Sequence, residues 1–288
     1  MTFSIKAAFG AGVSAGYKAA VNAAIAYFTT TFNPEHPVYL NIKFDWGPLG
    51  PGAVAQSSTA VNACPFANVV AALPQVDKDI PADKGLELPD SNPFGGSMNA
   101  TNSQEAAMGL FSPDGSTHTS SDATVTLNSN LAYSFDPSQG VKPSQFDAVG
   151  VLEHEVSEVM GRQCGGSSPG SLFPEPFALF RYDASGTIDT TNGINDYFAL
   201  NDKGSFIHSH MGEPNGNDLA DWNSLTDDCV GFAGQGRVQT FSAADVRVME
   251  ALGWRTGGGA AVTTLAPVDG TSSFALSPVL ATAYDFAA

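Results

Sequence analysis

The N-terminal part of the chain alternates between two clear apolar patterns. Apolar residues recur every three or four positions over residues 13–32, which predicts an amphipathic helix of about five turns. Prolines within residues 34–37 are expected to end it. Every second residue is then apolar over residues 38–46, which predicts a strand with one buried face.

The periodic recurrence of apolar residues is less clear in the next eighty residues. A turn is predicted over residues 47–52, a helix over residues 58–73, and a long surface loop over residues 74–98, which are rich in Pro, Asp and Gly. A short helix over residues 103–110 and a second strand over residues 123–128 follow. The chain therefore mixes helices with strands, as in the α+β class.

Two further helices are predicted in the C-terminal half. The first starts at Pro143–Ser144, where Ser144 can cap it and Asp147 completes a pair resembling a capping box. The last helix is capped by Ser242 and Asp245 and ends at Gly253. The region between them is rich in Gly, Asn and Asp and is predicted to consist mainly of loops.

Charge narrows the possible partners. The chain has 29 acidic and 12 basic residues and a formal net charge of −17. Nucleic-acid binding needs clustered Lys and Arg, so a nucleic-acid partner is excluded. An anionic membrane surface is disfavoured, and no apolar stretch approaches the roughly 20 residues of a membrane span. The charge suits an extracellular protein or one that holds divalent cations on carboxylates.

Residues 153–162 bear the most specific chemistry. His154 and Glu158 are four positions apart, so on a helix they project from one face, which is expected to lie opposite the apolar stripe. Together they can reach one Zn²⁺ at about 2.0 to 2.2 Å. Glu155 is rotated by about 100° and stands where a general base would take a proton from zinc-activated water. The alternative is a solvated acidic helix with one surface histidine.

Several segments resemble, in the same order, a family of bacterial secreted zincin-type metalloproteases. The helix of that family reads His-Glu-Ile-Ser-Glu-Val-Met-Gly-Arg, a variant of the common zincin motif with Glu as the second ligand. Five other stretches of this chain are similar to family segments, and the resemblance spans roughly residues 15–254. The five stretches are residues 38–47, 179–182, 196–200, 216–222 and 245–254.

The resemblance implies a zincin-like metallopeptidase fold, with a mixed twisted sheet and an active-site helix. It implies an N-terminal lobe over residues 1–162, a loop-rich lobe over residues 163–255 that completes the site, and a tail over residues 256–288. The implied activity is zinc-dependent hydrolysis of protein or peptide substrates, with Glu155 as general base. The chain departs from the family at Ala178, where the family usually has Asp.

The third zinc ligand stays open at this stage. His208 and His210 are favoured, because two residues two positions apart in a strand point to the same side. Asp218 and Asp221 are the next candidates, and Cys164 could bind as a thiolate. With three cysteines, a disulfide between Cys164 and Cys229, or a buried thiol at Cys164, is favoured over that role, and at least one thiol, such as that of Cys64, stays free.

Two weaker site hypotheses concern residues 182–189. Tyr182 is a candidate hydrogen-bond donor to the oxyanion of the transition state, although a core tyrosine is favoured. The acidic turn over residues 183–189 could bind Ca²⁺, but its spacing differs from that of an EF-hand, and a simple Asp-Gly turn is favoured.

The functional hypotheses are therefore two. In the first, the protein is a secreted zinc endopeptidase, and its substrate adds in extended form to residues 122–128 as an edge strand. In the second, it is a catalytically inactive relative used for adhesion or surface assembly. The N-terminus lacks a Sec-type signal, whereas the end of residues 256–288 resembles the uncleaved C-terminal signal of type I export. Oligomeric state is not predicted.

Overall fold

A computed structural model describes most of the chain. The described residues are 3–76, 88–110, 122–164, 174–191, 196–200, 206–209, 219–222, 228–231 and 233–257. The expectation of a C-terminal export signal concerns residues that lie almost entirely outside this part.

Along the described residues, single α-helices alternate with runs of one to three strands. The helices are α1 (Ala15–Thr31), α2 (Phe66–Val76), α3 (Asn102–Ala107), α4 (Ala148–Val159) and α5 (Ala243–Ala251). The strands are β1 (Phe3–Phe9), β2 (Val38–Gly47), β3 (Ala55–Thr59), β4 (Val61–Pro65), β5 (Ser97–Thr101), β6 (Ala123–Asn128), β7 (Tyr133–Ser134), β8 (Phe146–Asp147), β9 (Arg181–Tyr182), β10 (Tyr197–Ala199) and β11 (Phe206–Ser209). Short 3₁₀ turns occupy Pro137–Gln139 and Pro176–Phe180.

The main sheet has four strands in the order β1-β2-β6-β3. The first three are parallel, whereas β3 runs antiparallel to β6. The prediction of an α+β protein with a mixed sheet is thus confirmed. The prediction that residues 122–128 form an edge strand is wrong, because β6 is hydrogen-bonded on both sides. In the described part of the sheet, β3 lies at that edge.

Two elements near the N-terminus differ from the prediction. Strand β1 was not predicted, although its residues alternate in exposure and pair along β2 from Phe3 opposite Val38. Part of the helix predicted over residues 58–73 is strand β4, which pairs with β5 across the intervening segment. The partner strand is more than thirty residues away, so the local pattern could not show this pairing.

Helix α4 crosses the interior of the protein. It packs against α1, β3 and β6, and all of its residues except Val149 are buried. Asp147, rather than Ser144, is the N-cap residue, and its carboxylate accepts a hydrogen bond of 2.9 Å from Val149 N. The polar and the apolar faces of α4 are therefore both enclosed.

The C-terminal residues add a small sheet and the last helix. Strands β9, β10 and β11 form an antiparallel sheet in the order β11-β10-β9. The predicted cap of the last helix is confirmed, since Ser242 and Asp245 form a reciprocal capping box at α5. No helix in the described ranges is long and apolar enough to cross a bilayer.

Candidate metal centre

Three side chains from two distant parts of the chain meet beside α4. His154 and Glu158 lie one turn apart on the helix, and Asp221 follows the turn at residues 219–220. One ligand atom of each lies within 4.8 Å of the other two. The structure thus gathers one imidazole and two carboxylates, a set that could hold a metal ion.

The distances fit a tetrahedral site. His154 Nε2 lies 3.0 Å from Glu158 Oε1 and 3.5 Å from Asp221 Oδ1. Two ligand atoms bound to one tetrahedral zinc at about 2.0 to 2.2 Å stand about 3.3 Å apart. The observed separations bracket that value, so an ion could be accommodated with small side-chain movements.

The second nitrogen of His154 is already engaged. His154 Nδ1 lies 2.8 Å from the carbonyl oxygen of Cys229, which can only accept a hydrogen bond. Nδ1 therefore carries the proton, which leaves Nε2 facing the two carboxylates. This backbone contact is the kind of outer partner that fixes a histidine ligand's tautomer.

Glu158 is fixed by contacts on both of its oxygens. Oε2 accepts a hydrogen bond of 2.7 Å from Ser57 Oγ on strand β3, while Oε1 faces His154. Arg162 approaches the same Oε1 with Nη2 at 3.6 Å. The carboxylate thus has a defined orientation toward the centre of the cluster.

Burial and mutual charge shift the pKa values of all three groups. Burial lowers the pKa of His154, but the carboxylates of Asp221 and Glu158 outweigh burial and the net pKa is raised. For Glu158, burial raises the pKa, but His154 and Arg162 outweigh it and the net pKa is lowered. Burial raises the pKa of Asp221. The cluster without a metal therefore favours an ion pair between protonated His154 and ionised Glu158.

Glu155 lies next to this group without being part of it. Burial, followed by the charge of Glu158, raises its pKa well above the usual range of a glutamate. Within the described part of the protein, Glu155 Oε2 and Asp221 Oδ2 are buried without a hydrogen-bond partner. Such orphaned acceptors are costly, and a cation or a water molecule at the centre would satisfy them.

The cluster is enclosed. His154, Glu155, Glu158 and Asp221 are at most 2% exposed. Two surface cavities are found in the described part of the protein. One is lined by residues between 133 and 145, and the other by residues 49–53 together with residues at the end of β6. Neither cavity includes a residue of the cluster. The alternative of a solvated acidic helix is wrong, because Glu153, Glu155 and Glu158 are all buried.

The side chains of the favoured candidates for third ligand lie outside the described residues. The backbone of His208 belongs to β11 and pairs with Phe198, but its side chain, like His210 and Asp218, lies outside the described residues. Cys164 is buried with its sulfur 3.8 Å from Arg181 Nη1. All three cysteines are free thiols, so the expected disulfide between Cys164 and Cys229 is not formed.

Tyr182 and the acidic turn have other structural roles. Tyr182 is a buried residue of β9 whose backbone pairs with Tyr197. In the turn, Asp183 Oδ1 accepts hydrogen bonds from Ser185 and Thr187. The turn is not among the metal-ligand groups found in the described ranges.

A second group of possible ligands consists of Asp228, Cys229 and Asp245. Asp245 already accepts hydrogen bonds of 2.6 Å from Trp222 Nε1 and from Ser242 N. Asp228 accepts one of 2.9 Å from Val230 N. These carboxylates serve a helix cap and a turn, and their geometry needs no cation.

From the sequence alone, Asp221 is a candidate third ligand only after His208 and His210. Its position just before Trp222, in a segment that resembles the family, was the available signal. The contacts of Ser57 and of the Cys229 carbonyl had no signal in the sequence, since one is a common hydroxyl and the other a backbone atom.

Comparison of the chain with protein-family models, with curated proteins and with solved structures found no match. Functional inference therefore depends on the geometry described above and on the resemblance of the sequence segments.

Proposed function

We propose that the protein is a zincin-like, zinc-dependent endopeptidase with His154, Glu158 and Asp221 as metal ligands. The observation that carries the proposal is the convergence of His154 Nε2, Glu158 Oε1 and Asp221 Oδ1, with Glu155 alongside. One histidine and two carboxylates form a set of nitrogen and oxygen donors that suits zinc. The ordered segments that resemble the secreted zincin family point in the same direction.

The residues divide the chemistry between them. A zinc ion held in this cluster would polarise the scissile carbonyl and activate the attacking water. Glu155 accepts the proton of that water and passes it to the leaving amine. A cation beside Glu158 offsets the negative charge that raises the pKa of Glu155, which favours the ionised form that a general base needs.

The extended substrate would lie along β3. This strand borders the described sheet, and its residue Ser57 contacts Glu158 directly. A peptide added to β3 by main-chain hydrogen bonds would therefore run past the metal ligands. Cleavage then requires the enclosed cluster to open toward β3, by a rearrangement that substrate binding drives.

A second candidate function is a metal-stabilised protein without peptidase activity, used for adhesion or surface assembly. The burial of the three proposed ligands and of Glu155 favours it, because structural metal sites are closed whereas catalytic ones keep a position open. The carboxylate ligands also make zinc a weaker Lewis acid than a set of histidines would.

The experiment combines zinc analysis with hydrolysis of an unfolded protein such as casein. The proposal expects the wild type to contain about one zinc per chain and to cleave. Glu155→Gln should keep the zinc and lose cleavage. Glu153→Gln is the matched control, since Glu153 is a buried glutamate of the same helix outside the cluster, and it should keep both.

Each other result has a distinct meaning. Zinc without cleavage in the wild type selects the structural alternative. A wild type without zinc rejects the metal centre. Loss of zinc in Glu155→Gln would make Glu155 a ligand rather than a base.

A further inference from the structure

Arg162 touches two of the three proposed ligands from inside the protein. Its side chain is fully buried just beyond the end of α4. Nη1 donates hydrogen bonds to Asp221 Oδ1 at 3.0 Å and to the Ala220 carbonyl at 2.9 Å. Nη2 lies 3.6 Å from Glu158 Oε1, and Nε donates to Ser157 Oγ at 2.7 Å.

This guanidinium meets a local excess of negative charge. Glu158, Asp221 and Glu155 are buried beside a single histidine. Ionised carboxylates in a protein interior are costly unless an opposite charge and hydrogen bonds accompany them. Arginine stays charged under all ordinary conditions, so it supplies that charge whether or not a metal is bound.

We infer that Arg162 is a built-in counter-cation of the metal centre, which keeps Glu158 and Asp221 gathered when no metal is bound. The inference rests on the proposed metal centre and deepens it. A preformed metal site rarely exists in an unfolded chain, so the free energy of metal binding contributes to folding. Here Arg162 supplies part of the positive charge that the metal would bring, so the ligands stay assembled when the metal is absent.

The same charge opposes an incoming dication. With Arg162 present, the two ligand carboxylates are partly neutralised, so zinc binds less tightly than the carboxylates alone would allow. With a neutral side chain at this position, zinc binding should become tighter while the metal-free protein loses stability. A purely structural arginine would behave differently: its removal would destabilise both forms alike and would not tighten zinc binding.

The experiment compares Arg162→Gln and Arg162→Lys with the wild type. Zinc dissociation constants come from chelator competition, and thermal midpoints are measured with chelator and with saturating zinc. Arg162→Gln should bind zinc about tenfold more tightly, and its midpoint should fall sharply in chelator and recover in zinc. Arg162→Lys keeps the charge and should bind zinc much as the wild type does.

Arg181→Gln is the matched control. Arg181 is the other fully buried arginine of the core, and it pairs with Asp189 and Asp196 rather than with the cluster. Its loss should lower both midpoints equally and leave zinc affinity unchanged.

Three results would overturn the role of Arg162: unchanged or weaker zinc binding in Arg162→Gln, equal destabilisation of its two forms, or a variant that zinc fails to rescue. Tighter zinc binding in Arg162→Lys as well would also count against the role of the charge. A wild type that binds no zinc would instead reject the proposed metal centre, and the two failures are thereby distinguished.

Discussion

Ser57 Oγ donates a hydrogen bond of 2.7 Å to Glu158 Oε2 and so joins strand β3 to helix α4 across 101 residues of sequence. The contact is fully buried and holds the carboxylate in the orientation that points Oε1 toward His154. Such outer contacts of a ligand tune metal affinity in other proteins.

Removal of this hydroxyl should weaken zinc binding. In Ser57→Ala the zinc dissociation constant is expected to rise about tenfold to a hundredfold, because Glu158 loses its orienting partner. Chelator competition measures the change. Ser58→Ala alters the exposed neighbour on the same strand and should leave the constant as it is. Equal constants in Ser57→Ala and the wild type would contradict the orienting role.

Asp221 should be required for metal binding. Asp221→Asn replaces one charged ligand with a poor neutral one, and the purified protein is expected to contain little zinc. His208→Ala is the informative comparison, because His208 was favoured from the sequence, and this variant should retain its zinc. Zinc analysis of both proteins decides the assignment. If Asp221→Asn kept its zinc and His208→Ala lost it, His208 would be the third ligand instead.

The turn that follows α4 should tolerate no side chain at Gly161. Its φ is +107°, and a Cβ there would stand 2.6 Å from the side chain of Gln104. Gly161→Ala is expected to lower the free energy of unfolding by about 3 kcal/mol, from backbone strain plus overpacking. Denaturant unfolding measures this loss.

Gly95 provides the control for backbone strain alone. Its φ is +73°, and nothing lies within 4 Å of an added Cβ. Gly95→Ala should therefore cost only about 1–2 kcal/mol. If the two alanine variants lost equal free energies of unfolding, the contact with Gln104 would contribute nothing to the destabilisation of Gly161→Ala.

Cys64 and Cys229 should be unreactive in the folded protein. Burial and a hydrogen bond to Glu105 raise the pKa of Cys64 to about 12, and burial raises that of Cys229 well above its usual value. Because the thiolate is the reactive form and forms only above the pKa, thiol reagents at neutral or mildly basic pH should label neither. After denaturation all three thiols should react. Fewer than three would reveal a disulfide absent from the structure.

The local sequence pattern was sufficient to predict those elements whose apolar residues recur at a single regular spacing. Helix α1 and strand β2 were predicted this way, as was the capping box at Ser242 and Asp245, because caps and periodicity depend on neighbouring residues. The spacing of His154 and Glu158 likewise determined that both project from one helix face.

Only the tertiary structure decided which residues complete the candidate site. Asp221, Ser57, Arg162 and the Cys229 carbonyl come from four separate parts of the chain, and they meet because α4 is enclosed by β3 and the C-terminal loops. The same enclosure placed β6 inside the sheet instead of at its edge. Sequence spacing describes one element at a time, whereas contacts between distant segments follow from how the elements pack.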